Sequence, residues 1–442
     1  MANIYNFSSN ALLKRIGLSP GKKLLVLFIS LVVITIPMGY VYNSITIIFF
    51  VLYSILAAKK QHFTFRLALL LPVLLFALMA LSLIWSIDVK SSLKALSKES
   101  ALLFLPIAFY LNRPLLKRSV NDILKNYSIC MCLFGAYFLI RAAIRYSSTG
   151  NADVFFYHEL ATAKINAIYL SALFSLALFV FVEKKNKTFW GYGAMLFLFL
   201  LVFLLSSKNI IIIDVFLILC YYIFFSGLPK KAMFSTLAIV CVLAGGLGYY
   251  GKIHERFTHE LDTPPATEAA DGIHRVTIAE AWNKPMFDGN HYFNGTAFRT
   301  YQARVFKELF SQEPVLLTGY GLNASRPKVE QKGIEHNVFH ENTEHVSYNK
   351  LNFHNQYIEV FADLGLFGFL LVAAMVLLNL KNGLSHKYFV HIAFAVLMIS
   401  LFLTESFLWR QRGVVFFTVF YCLFNDLLYV NPKKTGLKKA VV

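Results

Sequence analysis

The chain alternates apolar runs with short, mostly basic polar turns, and a single polar stretch of about one hundred residues interrupts the series. The runs lie near 24–40, 41–58, 67–86, 99–112, 122–144, 162–182, 189–206, 209–226, 231–250, 355–380, 388–405 and 411–429. Runs of about 18 or more apolar residues recur, each long enough as helix to cross a hydrocarbon core of roughly 30 Å. They are continuous, with none of the ten-residue alternation of a membrane strand, so a β-barrel is not expected. The pattern predicts an all-α polytopic membrane protein of about 12 transmembrane helices. The runs 24–40 and 41–58 make either two spans or one re-entrant unit, and 99–112 is a short span. Residues 1–250 then hold helices 1–9, residues 251–353 form one long external loop containing short helices, and 354–442 hold helices 10–12 and a cytoplasmic tail. The first run has no small-residue cleavage site and leads straight into more apolar segments, so no cleavable signal peptide is expected.

Composition agrees: 57% of residues are hydrophobic, 15% are charged, and 43 of 442 are Phe, against about 25% charged in an ordinary globular domain. Charge then sets orientation. Alternate turns carry Lys14/Arg15/Lys22/Lys23, Lys59/Lys60/Arg66, Arg113/Lys117/Arg118, Lys184/Lys185/Lys187, Lys230/Lys231, Lys381/Lys387 and Lys433/Lys434/Lys438/Lys439. The positive-inside rule puts these turns and both termini in the cytoplasm, and the segment 251–353 outside. That segment is close to neutral, with about 11 basic and 13 acidic residues, so the net +18 lies elsewhere. Topology accounts for the charge and leaves no basic stripe for nucleic acid. The five cysteines (Cys130, Cys132, Cys220, Cys241, Cys422) all fall in apolar runs, so no disulfide framework is expected outside.

The polar segment is where water-dependent chemistry would sit. It opens with a charged, Pro- and Ala-containing stretch, Lys252 to Asp271, that reads as linker. Residues 296–310 then read as an amphipathic helix with Phe298, Tyr301, Val305 and Leu309 on one stripe and Arg299, Arg304 and Lys307 off it. Such a helix is expected to lie on the membrane face and turn its cations to anionic headgroups. Glu313-Pro314 ends it, and Gly319-Tyr-Gly321 makes a tight loop. Eight of the 12 histidines lie between 254 and 354. His336 and His340 are spaced i, i+4 beside Glu335, Glu341 and Glu344, a pattern able to hold a divalent ion if helical. Because Glu341-Asn-Thr reads as loop and no cysteine joins the set, no metal site is expected.

The next apolar helix opens with His354-Asn355, followed nine residues later by Gly365-Leu-Phe-Gly368. At about 100° per residue, Gly365 falls about 20° and Gly368 about 40° from the His354 stripe, so all three share one helix face. The glycines are expected to let a neighbouring helix approach closely and so to fix the histidine's helix.

His-Asn, nine residues and Gly-x-x-Gly, behind a long external loop in a twelve-span chain, resemble the O-antigen ligase and O-antigen polymerase superfamily. Arg299, some fifteen residues before Pro314, and the Gly319-Tyr-Gly321 turn agree with that family's loop, with a slightly longer gap from proline to glycine. Leu205-Ser-Ser-Lys-Asn209 is similar to a Ser-Arg pair at an external helix junction, with Lys208 in place of arginine. Tyr157-His-Glu-Leu-Ala161, running on to Ile168-Tyr169, resembles the start of a family helix. The likeness spans roughly residues 150–400.

The resemblance implies a bacterial inner-membrane enzyme, multi-pass, with a periplasmic active site. It would move a glycan from undecaprenyl diphosphate to lipid A-core or another glycan acceptor, among membrane lipids and without cofactor or metal. Departure of a diphosphate needs fixed cations. Arg299 suits that role with its permanent bidentate charge, with Lys208 as a point charge and Arg304 in reserve. Histidine is the side chain best matched to taking the acceptor's proton near neutral pH, which assigns His354 as base or acceptor-orienting group. Asn355 supports it by hydrogen bonding, and Gly365 and Gly368 by packing. Direct attack by the acceptor inverts the anomeric centre. A polymerase or a protein O-oligosaccharyltransferase would use the same groups. A lipid-linked glycan flippase is the alternative of another class, but it would favour repeat symmetry and polar residues at mid-membrane, whereas here they concentrate at the external rim.

Overall fold

The structure, a computed structural model, describes residues 21–58, 65–161, 165–249, 274–338 and 348–427. The linker Lys252–Asp271, His340 and the C-terminal tail lie outside the described residues.

The chain is helical almost throughout. Before the polar segment come α1 (Lys22–Ile34), α2 (Tyr40–Ala57), α3 (Leu67–Leu81), α4 (Val89–Glu99), α5 (Ala101–Leu111), α6 (Lys117–Thr149), α7 (Tyr157–Leu160), α8 (Ala167–Glu183), α9 (Phe189–Leu204), α10 (Lys208–Phe224) and α11 (Lys230–Tyr249), of which α4 and α7 are polar and the others largely apolar. After the polar segment come α15 (Gln356–Ser385), α16 (Phe389–Thr404) and α17 (Gln411–Asp426). Four helical stretches among the described residues are long and apolar enough to cross a membrane: Tyr40–Ala57, Leu67–Ile84, Lys117–Thr149 and Gln356–Ser385. Ala167–Glu183, Phe189–Leu204 and Phe389–Thr404 are apolar but shorter. Outward-facing Leu133, Ile140, Ile144 and Phe216 stand exposed, the arrangement of helices whose surroundings are as apolar as their core.

The run 99–112 divides differently from its reading as one span. Asp88 caps α4 by accepting from Ser91 N; α4 carries Lys90, Lys94 and Lys98 and ends at the buried Glu99. The apolar remainder, α5, has only 11 residues, about 16 Å of helix, half of what a span requires.

At the centre stand α8, α16 and α17, whose side chains are nearly all buried. Phe394, Phe416, Phe417, Phe420 and Phe424 interlock there. At the end remote from the polar segment, Arg66 is fully buried, paired at 2.6 Å with Asp426 and donating to the Phe109 and Asn112 carbonyls. It is a tie between helices as well as one of the basic residues counted for orientation.

The polar segment folds into a unit with its own core. It contains β1 (His274–Val276), α12 (Ile278–Asn283), β2 (His291–Phe293), α13 (Gly295–Gln312) and α14 (Arg326–Glu335). The strands pair in parallel, His274 opposite His291. Thr277 and Glu280 form a reciprocal capping box at the start of α12. The stripe Phe298, Tyr301, Val305, Leu309 is buried as its period requires, but against Val276, Phe287, Phe293, Val329 and Phe353. The expectation that α13 lies on the lipid surface is therefore corrected. The short strands and α14 supply an apolar partner, and each large side chain so buried contributes roughly 1.5–3 kcal/mol.

Candidate active site

The unit is pinned to the helices by its Gly-Tyr-Gly loop. Gly319 and Gly321 have φ of +63° and +101°, and Gly365 inside α15 has φ +65° with ψ −162°. Tyr320 N donates to Ala362 O, Gly321 N to Asp363 O and Leu366 N to Leu316 O. The Asp363 carboxylate accepts from Asn323 N and Ser325 N. Across the loop, Trp85 Nε1 donates to Thr318 O and Ile87 N to Tyr320 O. Gly365 therefore serves the approach of a loop, whose Leu317 backbone stands 2.3 Å from where a Cβ would be. A Cβ on Gly368 would meet Leu364 of its own helix. Among the described residues, the atoms nearest a Cβ at either glycine belong to the 317–318 loop or to α15 itself and not to a neighbouring helix, and α15 kinks at Gly365, so it does not carry one stripe from 354 to 368.

His354 itself precedes the helix. Its backbone is left-handed, φ +48°, and Asn355 is the N-cap of α15, accepting from Tyr357 N and Ile358 N and donating to Leu403 O at 3.1 Å. The turn aims the His354 ring at the end of α16. There Nδ1 lies 3.4 Å from Glu405 Oε2, and Phe298 of α13 packs edge-on at 5.5 Å. The other Glu405 oxygen, Oε1, accepts from Arg299 Nη2 at 3.2 Å. Arg299 also donates from Nε to Thr404 O (2.8 Å) and from Nη1 to Gly295 O (3.0 Å). These bonds occupy three of the five guanidinium donors, and the side chain is 32% exposed.

Lys208 opens α10 at the same place. Its neighbour Asn209 donates to Thr404 Oγ1 (2.8 Å) and Ser400 O (3.1 Å), so the start of α10 and Arg299 meet at Thr404. A helix N-terminus favours anions, and a lysine there adds positive charge to positive potential.

Arg304 is not part of this group. Its guanidinium pairs with Glu308 at 2.8 Å and donates to Lys284 O, with His336 at 3.4 Å. His336 also meets Tyr301 and Glu308. Burial, helped by Arg304 and Lys332 and opposed by Glu308, holds its imidazole below the ordinary range. Arg412 is buried, donating to Ile36 O and Met38 O and packing over Tyr40; Arg410 is exposed and lies over Tyr169. Glu159 pairs with Arg145.

The residue missed in sequence is Glu405, which joins Arg299 to His354 from 106 and 51 positions away. Its one signal was being the only carboxylate in the run 388–405, at that run's last position. Glu99, Glu359, Asp363 and Trp409 line a cavity of about 30 Å³, with Lys98 and Arg326 against the indole.

A helical membrane protein with cations, a histidine and a carboxylate gathered at one face is the class so defined. Residues 193–373 match the family model described as O-antigen ligase, and the match supports the O-antigen ligase and polymerase superfamily. The matched region takes in Lys208, Arg299, His354, Gly365 and Gly368, and ends before Glu405. The family implies lipid-linked glycan substrates in general. A search of curated proteins found no match.

Proposed function

We propose that the protein is a glycosyltransferase of O-antigen ligase type. It takes a glycan from undecaprenyl diphosphate and joins it to a sugar hydroxyl of lipid A-core at the periplasmic face of the inner membrane, by inversion and without a metal. The observation that carries this reading is the meeting of Arg299 and His354 on the two oxygens of Glu405.

The chemistry follows from that arrangement. Glu405 engages Nδ1 of His354, leaving Nε2 to take the acceptor's proton; a carboxylate behind a histidine fixes its orientation and steadies the imidazolium that forms. The acceptor oxygen bonds to the anomeric carbon on the face opposite the diphosphate. The carbon–oxygen bond to the diphosphate breaks, and the electron pair leaves with the phosphate. The Arg299 donors that have no partner among the described residues meet that growing charge, together with the Lys208 ammonium and the start of α10. Arg304, held inside the polar unit, has no role in this scheme.

The test uses purified protein, undecaprenyl-diphosphate-linked glycan and lipid A-core, with a chelator present. Capped lipid A-core that disappears in His354→Ala supports the ligase. Lengthening of the donor-linked glycan without acceptor would reassign the protein as a polymerase. A well-inserted His354→Ala that transfers normally would remove the base.

A further inference from the structure

We propose that Glu359, which touches neither Arg299 nor His354, is the positioning residue that assembles the site; this rests on the glycosyl-transfer reading. The pair His354–Glu405 is built from two chain segments that arrive independently, one entering α15 and one leaving α16. The distance between their tips therefore depends on what fastens the segments together.

Glu359 is that fastener. It lies on the first turn of α15, 3% exposed. Its Oε2 accepts from the backbone N–H of Phe353 at 3.1 Å and from the hydroxyl of Ser406 at 2.8 Å. Phe353 immediately precedes His354, and Ser406 immediately follows Glu405. One oxygen thus holds both segments within one residue of the groups they carry, beneath the 3.4 Å contact.

A second bond, Leu408 N to Gln356 Oε1 at 2.7 Å, runs between the same segments, so the helix entrance and the 406–408 turn are tied twice. Left-handed backbone at a residue such as His354 persists only where its surroundings enforce it. The bond from Phe353 N supplies that enforcement next to it, along with His354 N to Asn352 Oδ1 at 3.2 Å.

A single carboxyl oxygen takes both donors, as an amide oxygen also could. The other oxygen, Oε1, is buried and has no hydrogen-bond partner among the described residues. The residue lines the cavity shared with Glu99, Asp363 and Trp409, which is large enough for water. Asp363, one turn on, also accepts two backbone N–H groups, but from Asn323 and Ser325. It anchors the Gly-Tyr-Gly loop, and its side-chain hydrogen bonds go to that loop and not to the segments carrying His354 and Glu405.

The experiment compares Glu359→Ala, Glu359→Gln and Ser406→Ala in the full chain with two readouts. The first, independent of any substrate, is the rate at which diethyl pyrocarbonate modifies His354, mapped by mass spectrometry against the exposed His386 as internal reference. Glu359→Ala is expected to raise the His354 rate severalfold, with Glu359→Gln restoring it because the amide oxygen can accept both donors. The second is transfer: kcat falls about 100-fold in Glu359→Ala, the loss typical of an ångström-scale misplacement, while the KM for donor stays near wild type.

A pin that only holds the fold would lower the melting temperature and leave His354 reactivity and kcat unchanged in the folded fraction, which overturns the proposal. Should Glu359→Ala not fold, Ser406→Ala decides. A retained melting temperature with a raised His354 rate supports the clasp, and a wild-type rate rejects it. If wild-type protein transfers no glycan, the glycosyl-transfer reading fails by itself and the reactivity arm still judges the clasp.

Discussion

Gly365→Ala tests the way the polar unit is seated on the helices. At φ +65° and ψ −162° the backbone is in a region open essentially to glycine alone, costing about 1–3 kcal/mol for any other residue. A Cβ there would stand 2.3 Å from Leu317 C and O and 2.6 Å from Thr318 N. These are backbone atoms, and they cannot retreat without straining Leu366 N to Leu316 O and Gly321 N to Asp363 O, both 2.8 Å. Overpacking of this sort adds about 1–3 kcal/mol, for a combined cost of roughly 2–6 kcal/mol if the two terms add. The matched control is Gly193→Ala, where nothing lies within 4 Å of the new Cβ and helix propensity favours alanine by about 0.8–1 kcal/mol. Thermal unfolding in detergent, followed by tryptophan fluorescence, should show Gly365→Ala melting well below wild type and Gly193→Ala at or above it. Limited proteolysis should cut the 274–338 unit first. A Gly365→Ala protein that melts with wild type and resists protease would refute the claim that this glycine admits the loop.

Three further outcomes are expected. Glu405→Gln keeps the shape of the bridge but removes the charge that steadies an imidazolium at His354, and kcat for glycan transfer should fall about 100-fold with insertion unchanged. Lys208→Arg keeps the charge at the start of α10 and adds a bidentate fork, so transfer in the same assay should hold near wild type, whereas Lys208→Gln should raise the donor KM. The His336 imidazole is held below its ordinary range by burial, with Arg304 and Lys332 assisting and Glu308, Glu335 and the Tyr301 hydroxyl around it. A depressed histidine contributes stability above the unfolded pKa and loses it as pH falls, so melting of the polar unit should drop as pH falls from about 7 through the ordinary imidazole pKa near 6.5. His336→Asn should flatten that slope.

Which of these features could be read in sequence follows from the distance over which each is encoded. The stripe Phe298, Tyr301, Val305, Leu309 announces α13 because a helix's period is local, but the partners that bury it are two three-residue strands, too short to show alternation. Its exposure to lipid was accordingly the wrong inference from the right helix. The His354-Asn355 motif was legible for the same local reason, since a cap and the helix it starts are neighbours in the chain. The Gly365 and Gly368 spacing misled because the stripe argument assumes an unbroken helix, and Gly365 is the residue that breaks it. Glu405 left almost no trace: one carboxylate in a turn carries no period, and its meaning exists only once α13, α15 and α16 converge. Arg299 and Arg304 are five residues apart on one helix, and the sequence ranks the second only as a reserve for the first. The fold separates them, pointing the first at Thr404 and Glu405 and locking the second onto Glu308 and Lys284. A candidate site assembled from three distant segments is thus half visible from any one of them. The half that stays hidden is the carboxylate that links the others, because a linking residue is selected by where its partners are and not by what surrounds it in the chain.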